Sequence, residues 1–145
     1  MQSNAFQLGG AVPSDKPHLL LWDRFDEHEL KALAFYNDAD VVSYRLDLLN
    51  RLPPNISNLA LHEDLDQELR SVRQICHNSH KKIVILTDLD CLITYLLIQP
   101  EAKITLFWQS LYRMRQLEKI LWILLPSKLA PPMWSEERLH RLQQT

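Results

Sequence analysis

Four runs of apolar residues stand out along the chain. They are Leu19-Leu20-Leu21-Trp22 after His18, Val41-Val42 before Ser43-Tyr44, Ile83-Val84-Ile85-Leu86 before Thr87-Asp88, and the six residues Ile120–Leu125. Runs this continuous do not alternate polar with apolar, so they predict strands buried on both faces rather than half-exposed ones. Between them the pattern changes to helical spacing. Leu30, Leu33 and Ala34 predict a helix over 27–37, with Asp26 as its N-cap. A short helix over 46–52 stops at Pro53-Pro54. Leu65, Leu69, Val72 and Cys76, spaced 4, 3 and 4 apart, predict an amphipathic helix. Helices over 91–98 and 104–117 precede the last strand, the second with Phe107, Leu111 and Met114 on one side. A final helix over 135–143 is predicted from Ser135 as N-cap and Glu136-Glu137 in its first turn. Residues 1–17, rich in Gln, Ser, Asn, Gly and Pro, read as an N-terminal tail, and 18–145 as a single domain.

The order strand, helix, strand, two helices, strand, two helices, strand, helix implies an α/β fold. The expected architecture is a small three-layer parallel sheet of about four to five strands flanked by helices. The longest apolar run, Ile120–Leu125, is far short of the roughly 18 residues a membrane span needs. The first residues carry neither a basic region nor an apolar core of the signal-peptide type, so a cytoplasmic protein without a membrane is expected.

Composition sharpens this picture at one point. Of 145 residues only 2 are glycine, where average usage of about 7% would give about ten. Both, Gly9 and Gly10, fall in the tail. Phosphate cradles of the G-x-x-x-x-G-K-[ST] or G-x-G-x-x-G type are therefore excluded, because a side chain blocks the close backbone approach they need. Tight primed hairpins, and with them an all-β fold, are disfavoured for the same reason.

The formal net charge is −2, but it is unevenly spread. Residues 1–72 carry 6 Lys/Arg against 12 Asp/Glu, and residues 73–145 carry 10 against 6. An acidic half and a basic half suit docking between charged partners.

In parallel sheets ligands gather at the carboxyl ends of the strands, which offer Asp23-Arg24, Arg45 and Asp47, Thr87-Asp88-Leu89-Asp90, and Ser127-Lys128. Four aliphatics followed by Thr-Asp-x-Asp match the strand whose terminal acid holds Mg²⁺ in nucleotide hydrolases. They also match the opening motif of haloacid-dehalogenase-type phosphohydrolases, and the same acids could simply cap the next helix. Asp88 and Asp90 are thus candidate Mg²⁺ ligands of a small phosphohydrolase or nuclease, with Ser127 and Lys128 on the substrate phosphate. Cys76-His77 with His80 and Cys91 lacks the paired ligands of a zinc site. Arg113, Arg115 and Lys119, with Lys128, are candidates for meeting nucleic acid or an acidic partner, and Trp134 for a partner contact. A solvated helix face accounts for the first group equally, and a lid over the core for the tryptophan.

Three segments together resemble the small P-loop proteins of BREX-type phage-defence operons (the BrxF kind). Tyr44-Arg45-Leu46-Asp47-Leu48-Leu49-Asn50-Arg51-Leu52 is similar to their Y-x-x-x-x-L-x-x-x-L-like segment. Residues 83–88 with Asp90-Cys91-Leu92-Ile93 look like their Walker B strand, and residues 120–126 resemble their final strand. The resemblance covers about residues 18–126 and implies a degenerate P-loop or RecA-like fold. Where the family has its glycine loop, this chain has Trp22-Asp23-Arg24-Phe25-Asp26-Glu27, whose acids would repel a phosphate. The expectation that follows is a non-catalytic subunit without cofactor. It would dock other protein subunits, near nucleic acid, in a bacterial defence or DNA-processing complex, and Asp88 would survive only as a positional match.

Overall fold

The computed structural model describes residues 6–53 and 60–142. Its elements are β1 (His18–Trp22), α1 (Glu27–Asn37), β2 (Ala39–Ser43), α2 (Tyr44–Arg51), α3 (Leu65–Asn78), β3 (Ile83–Thr87), α4 (Asp90–Leu97), α5 (Glu101–Arg113), β4 (Ile120–Leu125) and β5 (Leu139–Leu142). The strands form one sheet in the order β2-β3-β4-β1-β5, and every neighbouring pair is parallel. The fold is α/β, as the apolar runs imply.

The handedness of parallel crossovers explains the layers. The step from β1 to β2 runs one way along the sheet, and the steps from β2 through β4 to β5 run back. Right-handed connections therefore place α1 on one face and α2 to α5 on the other. The side chains divide accordingly. Leu19, Leu21, Val84, Leu86, Leu121, Ile123 and Leu125 pack with the four helices, while Leu20, Trp22, Ile83, Ile85, Trp122 and Leu124 face α1. All five residues of β1 are buried.

One helix cannot cover a five-stranded face, and the N-terminal segment supplies the rest. Residues 6–17, expected as a tail, pack on the sheet instead. Leu8 is fully buried, and its carbonyl accepts a hydrogen bond from Trp122 Nε1 at 2.9 Å. Its amide donates to Asn37 Oδ1 at 2.8 Å, and Asn37 Nδ2 donates to the Phe6 carbonyl at 2.9 Å. Further along, the Asp15 carbonyl accepts from the Leu117 amide at 3.0 Å. The two glycines thus belong to the folded body, in a 3-10 turn over Leu8–Gly10. Neither has positive φ; the left-handed positions are held by Asp38, Asp88 and Gln116. Asp tolerates this region better than most side chains, which lets a glycine-poor chain close α1 with Asp38 as C-cap.

The final helix expected over 135–143 is replaced by a 3-10 turn (Glu136–Arg138) and β5. Gln143 lies outside the described residues, as does Pro54. The physical reason is the exposed flank that β1 would otherwise present. β5 pairs with it from Leu19↔Leu139 to Trp22↔Leu142 and completes its hydrogen bonding. Arg138 anchors the turn. It is buried, donates from Nε to the Pro17 carbonyl at 3.0 Å and from Nη2 to the Tyr112 carbonyl at 3.1 Å, and lies over the Tyr112 and Trp134 rings.

A partly buried ion network, centred on the buried Tyr44 and Glu68, ties α2 to α3. Tyr44 donates to Glu68 Oε1 at 2.5 Å, and Arg51 bridges Glu68 at 2.8 Å and Asp47 at 2.9 Å. Replacing Glu68 with Ala leaves a buried hydroxyl and half of a guanidinium without an acceptor. The variant is expected to lose about 3 kcal/mol, read as a lower urea midpoint at unchanged slope.

His18 Nε2 donates to the Pro13 carbonyl at 2.6 Å, while Nδ1 is buried without a partner. Burial holds its pKa below the ordinary 6.5. The unfolded chain therefore takes up a proton that the folded chain refuses. Stability is expected to fall as pH drops below about 6.5, and His18→Gln should flatten that slope in melts between about pH 7 and pH 5.

Candidate functional site

The turn after β1 is closed by the chain's own carboxylates. Asp23 accepts the Ser127 amide at 2.7 Å through one oxygen and the Ser127 hydroxyl at 2.7 Å through the other. These bonds, the amide first, hold its carboxyl below the usual range. They also join the turn after β1 to the turn after the adjacent β4. Three residues on, Asp26 makes a capping box. Its Oδ1 accepts the Glu29 amide at 2.8 Å, and Glu29 Oε1 accepts the Asp26 amide at 3.1 Å. With Glu27 and Glu29 in its first turn, the positive end of α1 is met by acids of the chain itself.

The end of β3 is different. Asp88 is exposed and held at φ 65°, a left-handed conformation that costs energy for a side-chain-bearing residue. The β2–β3 register pairs Ser43 with Thr87, and this brings the Ser43 hydroxyl to donate to Asp88 Oδ2 at 2.5 Å. Ser43 at the same time caps α2, accepting the Leu46 amide at 3.2 Å. Asp90 opens α4, and the Asp88 carbonyl accepts the Cys91 amide at 3.1 Å. Among the described residues no group of three or more His, Cys, Asp or Glu is placed to hold a metal ion. Asp88 does border a cavity of about 490 Å³ between the start of α1 and the ends of β2 and β3, with Phe25, Leu30, Lys31, Ser43 and Arg45 on its walls.

Lys128 belongs to another place. It sits in the 3-10 turn Ser127–Leu129 and borders an apolar cleft of about 290 Å³ with Ile93, Leu97, Ile104, Trp108 and Met133. Asp88 and Lys128 thus border different cavities, and Ser127 is engaged by Asp23. Trp134 is 7% exposed, packs edge-on against Trp108 and Tyr112, and donates from Nε1 to the Arg138 carbonyl at 3.1 Å. It closes the core and offers a partner little surface.

The basic candidates do not share one helix face. Arg113 ends α5, Arg115 lies in the following loop, and Lys119 donates to the Cys76 carbonyl at the end of α3 at 3.1 Å. Instead, Arg113 meets Arg70 and Arg73 of α3 around a shallow concavity of about 280 Å³. These two arginines were not singled out from the sequence, although their spacing of three places them on one side of that helix, away from the Leu65, Val72 and Cys76 stripe.

No protein-family model matches the chain, and no curated protein is similar to it in sequence. No helix among the described residues is long and apolar enough to cross a membrane.

The two thiols report on this geometry. Burial pushes the Cys76 thiol up to about 12, which keeps it protonated at neutral pH. Cys91 is exposed, and partial burial followed by Asp90 and Asp88 raises it too. Native protein at neutral pH should take up one equivalent of an alkylating reagent, slowly, at Cys91. Asp90→Asn should speed that reaction, and Cys76 should react only in denaturant.

Proposed function

We propose that the chain is a nucleotide-binding-deficient, P-loop-like subunit that docks partner proteins within a bacterial phage-defence or DNA-processing complex. The observation that carries this reading is the self-occupied turn after β1. A phosphate loop works by presenting backbone amides and a helix N-terminus to an anion. Here the Ser127 amide is taken by Asp23 and the Glu29 amide by Asp26, so a phosphate would have to displace carboxylates and sit among acids.

Strand order supports the P-loop comparison without depending on glycine. A phosphate held after β1 can be served by a metal-binding acid and a polar sensor only if those strands end beside it. β4, soon followed by Ser127, adjoins β1, and β3, followed by Asp88, adjoins β4. This order supports a scaffold of the nucleotide-binding type whose anion seat is filled. The alternative of a Mg²⁺-dependent phosphohydrolase or nuclease has less support, because Asp88 and Asp90 gain no third ligand among the described residues.

Isothermal titration of the purified protein with ATP and Mg²⁺ tests the reading. No heat of binding up to millimolar nucleotide, and no change in melting temperature, are expected. Micromolar binding, or a Mg²⁺-dependent rise in melting temperature that Asp88→Asn abolishes, would contradict it. Co-expression with the products of neighbouring genes should give a stable complex, and a protein that remains alone with all of them speaks against a subunit role.

A further inference from the structure

The end of the molecule opposite the self-capped turn carries its own chemistry. In a parallel sheet every strand starts at the same edge, and the helices that precede β3 and β4 deliver their C-termini to that edge. The segments converging there are the end of α3, Lys81-Lys82 before β3, the end of α5, and the 114–119 loop before β4. Lys82, Arg113 and Arg115 are exposed in these segments, and Arg70 and Arg73 are exposed further back along α3. Arg70, Arg73 and Arg113 line the 280 Å³ concavity together with Asp66, Leu69, Ser110 and Met114.

These guanidiniums are not neutralised. Among the described residues none of the three forms an ion pair; Arg70 makes a single hydrogen bond, from Nη2 to Gln67 Oε1 at 3.1 Å, and Arg73 and Arg113 make none. Two exposed side chains nearby do have acidic partners: Lys81 meets Asp38 at 3.3 Å and His77 meets Glu118 at 2.9 Å. Three planar donors left open around one concavity, drawn from two helices, match the oxygens of phosphate groups.

We propose that this edge is a binding surface for the phosphate backbone of double-stranded nucleic acid, independent of base sequence. Two features select that ligand. Arg115 follows Arg113 by two residues and Lys82 precedes β3 at the same edge of the sheet, so further cations are on hand for successive phosphates, which one phosphorylated side chain would not use. No aromatic ring borders the concavity, and the nearby Tyr112 ring lies under Arg138, so the stacking platform that single strands need is missing. The proposal does not rest on the nucleotide-free reading of the opposite end, and either can fail alone.

The test is fluorescence anisotropy with a short labelled DNA duplex of arbitrary sequence, titrated at several salt concentrations. Three phosphate contacts predict a log–log slope of about −3, or about a 40-fold loss of affinity between 50 and 200 mM salt. Arg70→Gln, Arg73→Gln and Arg113→Gln should each make the slope shallower by about one. Lys128→Gln lies beyond the other end of β4, about 20 Å along the strand, and should leave it unchanged. All four residues are exposed or partly exposed, and unchanged melting verifies each fold; Arg73→Glu, which reverses the charge, should abolish binding. Absence of duplex binding at about 50 mM salt overturns the proposal. So do arginine variants that keep the full slope, a Lys128→Gln loss equal to theirs, tighter binding of single-stranded DNA of equal length, or tighter binding of a phosphoserine peptide.

Discussion

The structure depends on one constraint, the complete burial of β1. A strand with all five residues inaccessible must be paired on both edges and covered on both faces. β4 and β5 meet the first requirement. α5 with its neighbours and the N-terminal segment with α1 meet the second. From this follow the two most unexpected features of the chain. A polar-looking beginning folds back onto Trp122, and a helix-like ending extends into a strand held by Arg138.

Because β1 lies between β4 and β5, its turn falls on the carboxyl edge where the direction of the strand order reverses. This is where an α/β sheet normally binds a ligand. The chain has filled the position from within. Asp23 ties the turn to Ser127, and Asp26 satisfies the start of α1. What remains open on that edge is shifted outward, to the cavity beside Asp88 and Ser43. The amino edge carries unpaired arginines instead.

Much of this was legible in the residues. Leu19 to Trp22, Ile83 to Leu86 and Ile120 to Leu125 read as doubly buried strands, and Asp26 as the cap of α1, because apolar continuity and capping are local properties. Other features depend on tertiary pairing. Glu136-Glu137 after Ser135 is a sound helix start, but the vacant flank of β1 outweighs it and draws Leu139–Leu142 into the sheet. Leu8 lies in a short stretch with no helical or strand periodicity, and only the unfinished face beneath it makes it core. The helix expected to reach Leu117 stops at Arg113, since Gln116 takes positive φ and its amide donates to Asp15 Oδ2 at 3.0 Å. That early stop moves Arg115 off the helix. The basic group read from adjacent residues is therefore rebuilt around Arg70 and Arg73, which are distant in sequence.

The central claim is that the chain's own carboxylates occupy the seats that phosphates would need after β1. Amide NMR during a titration with pyrophosphate and with ATP tests it most directly. The Ser127 and Glu29 amide signals should stay in place up to millimolar ligand. Saturating shifts at those two amides, with a midpoint in the micromolar range, would contradict the account.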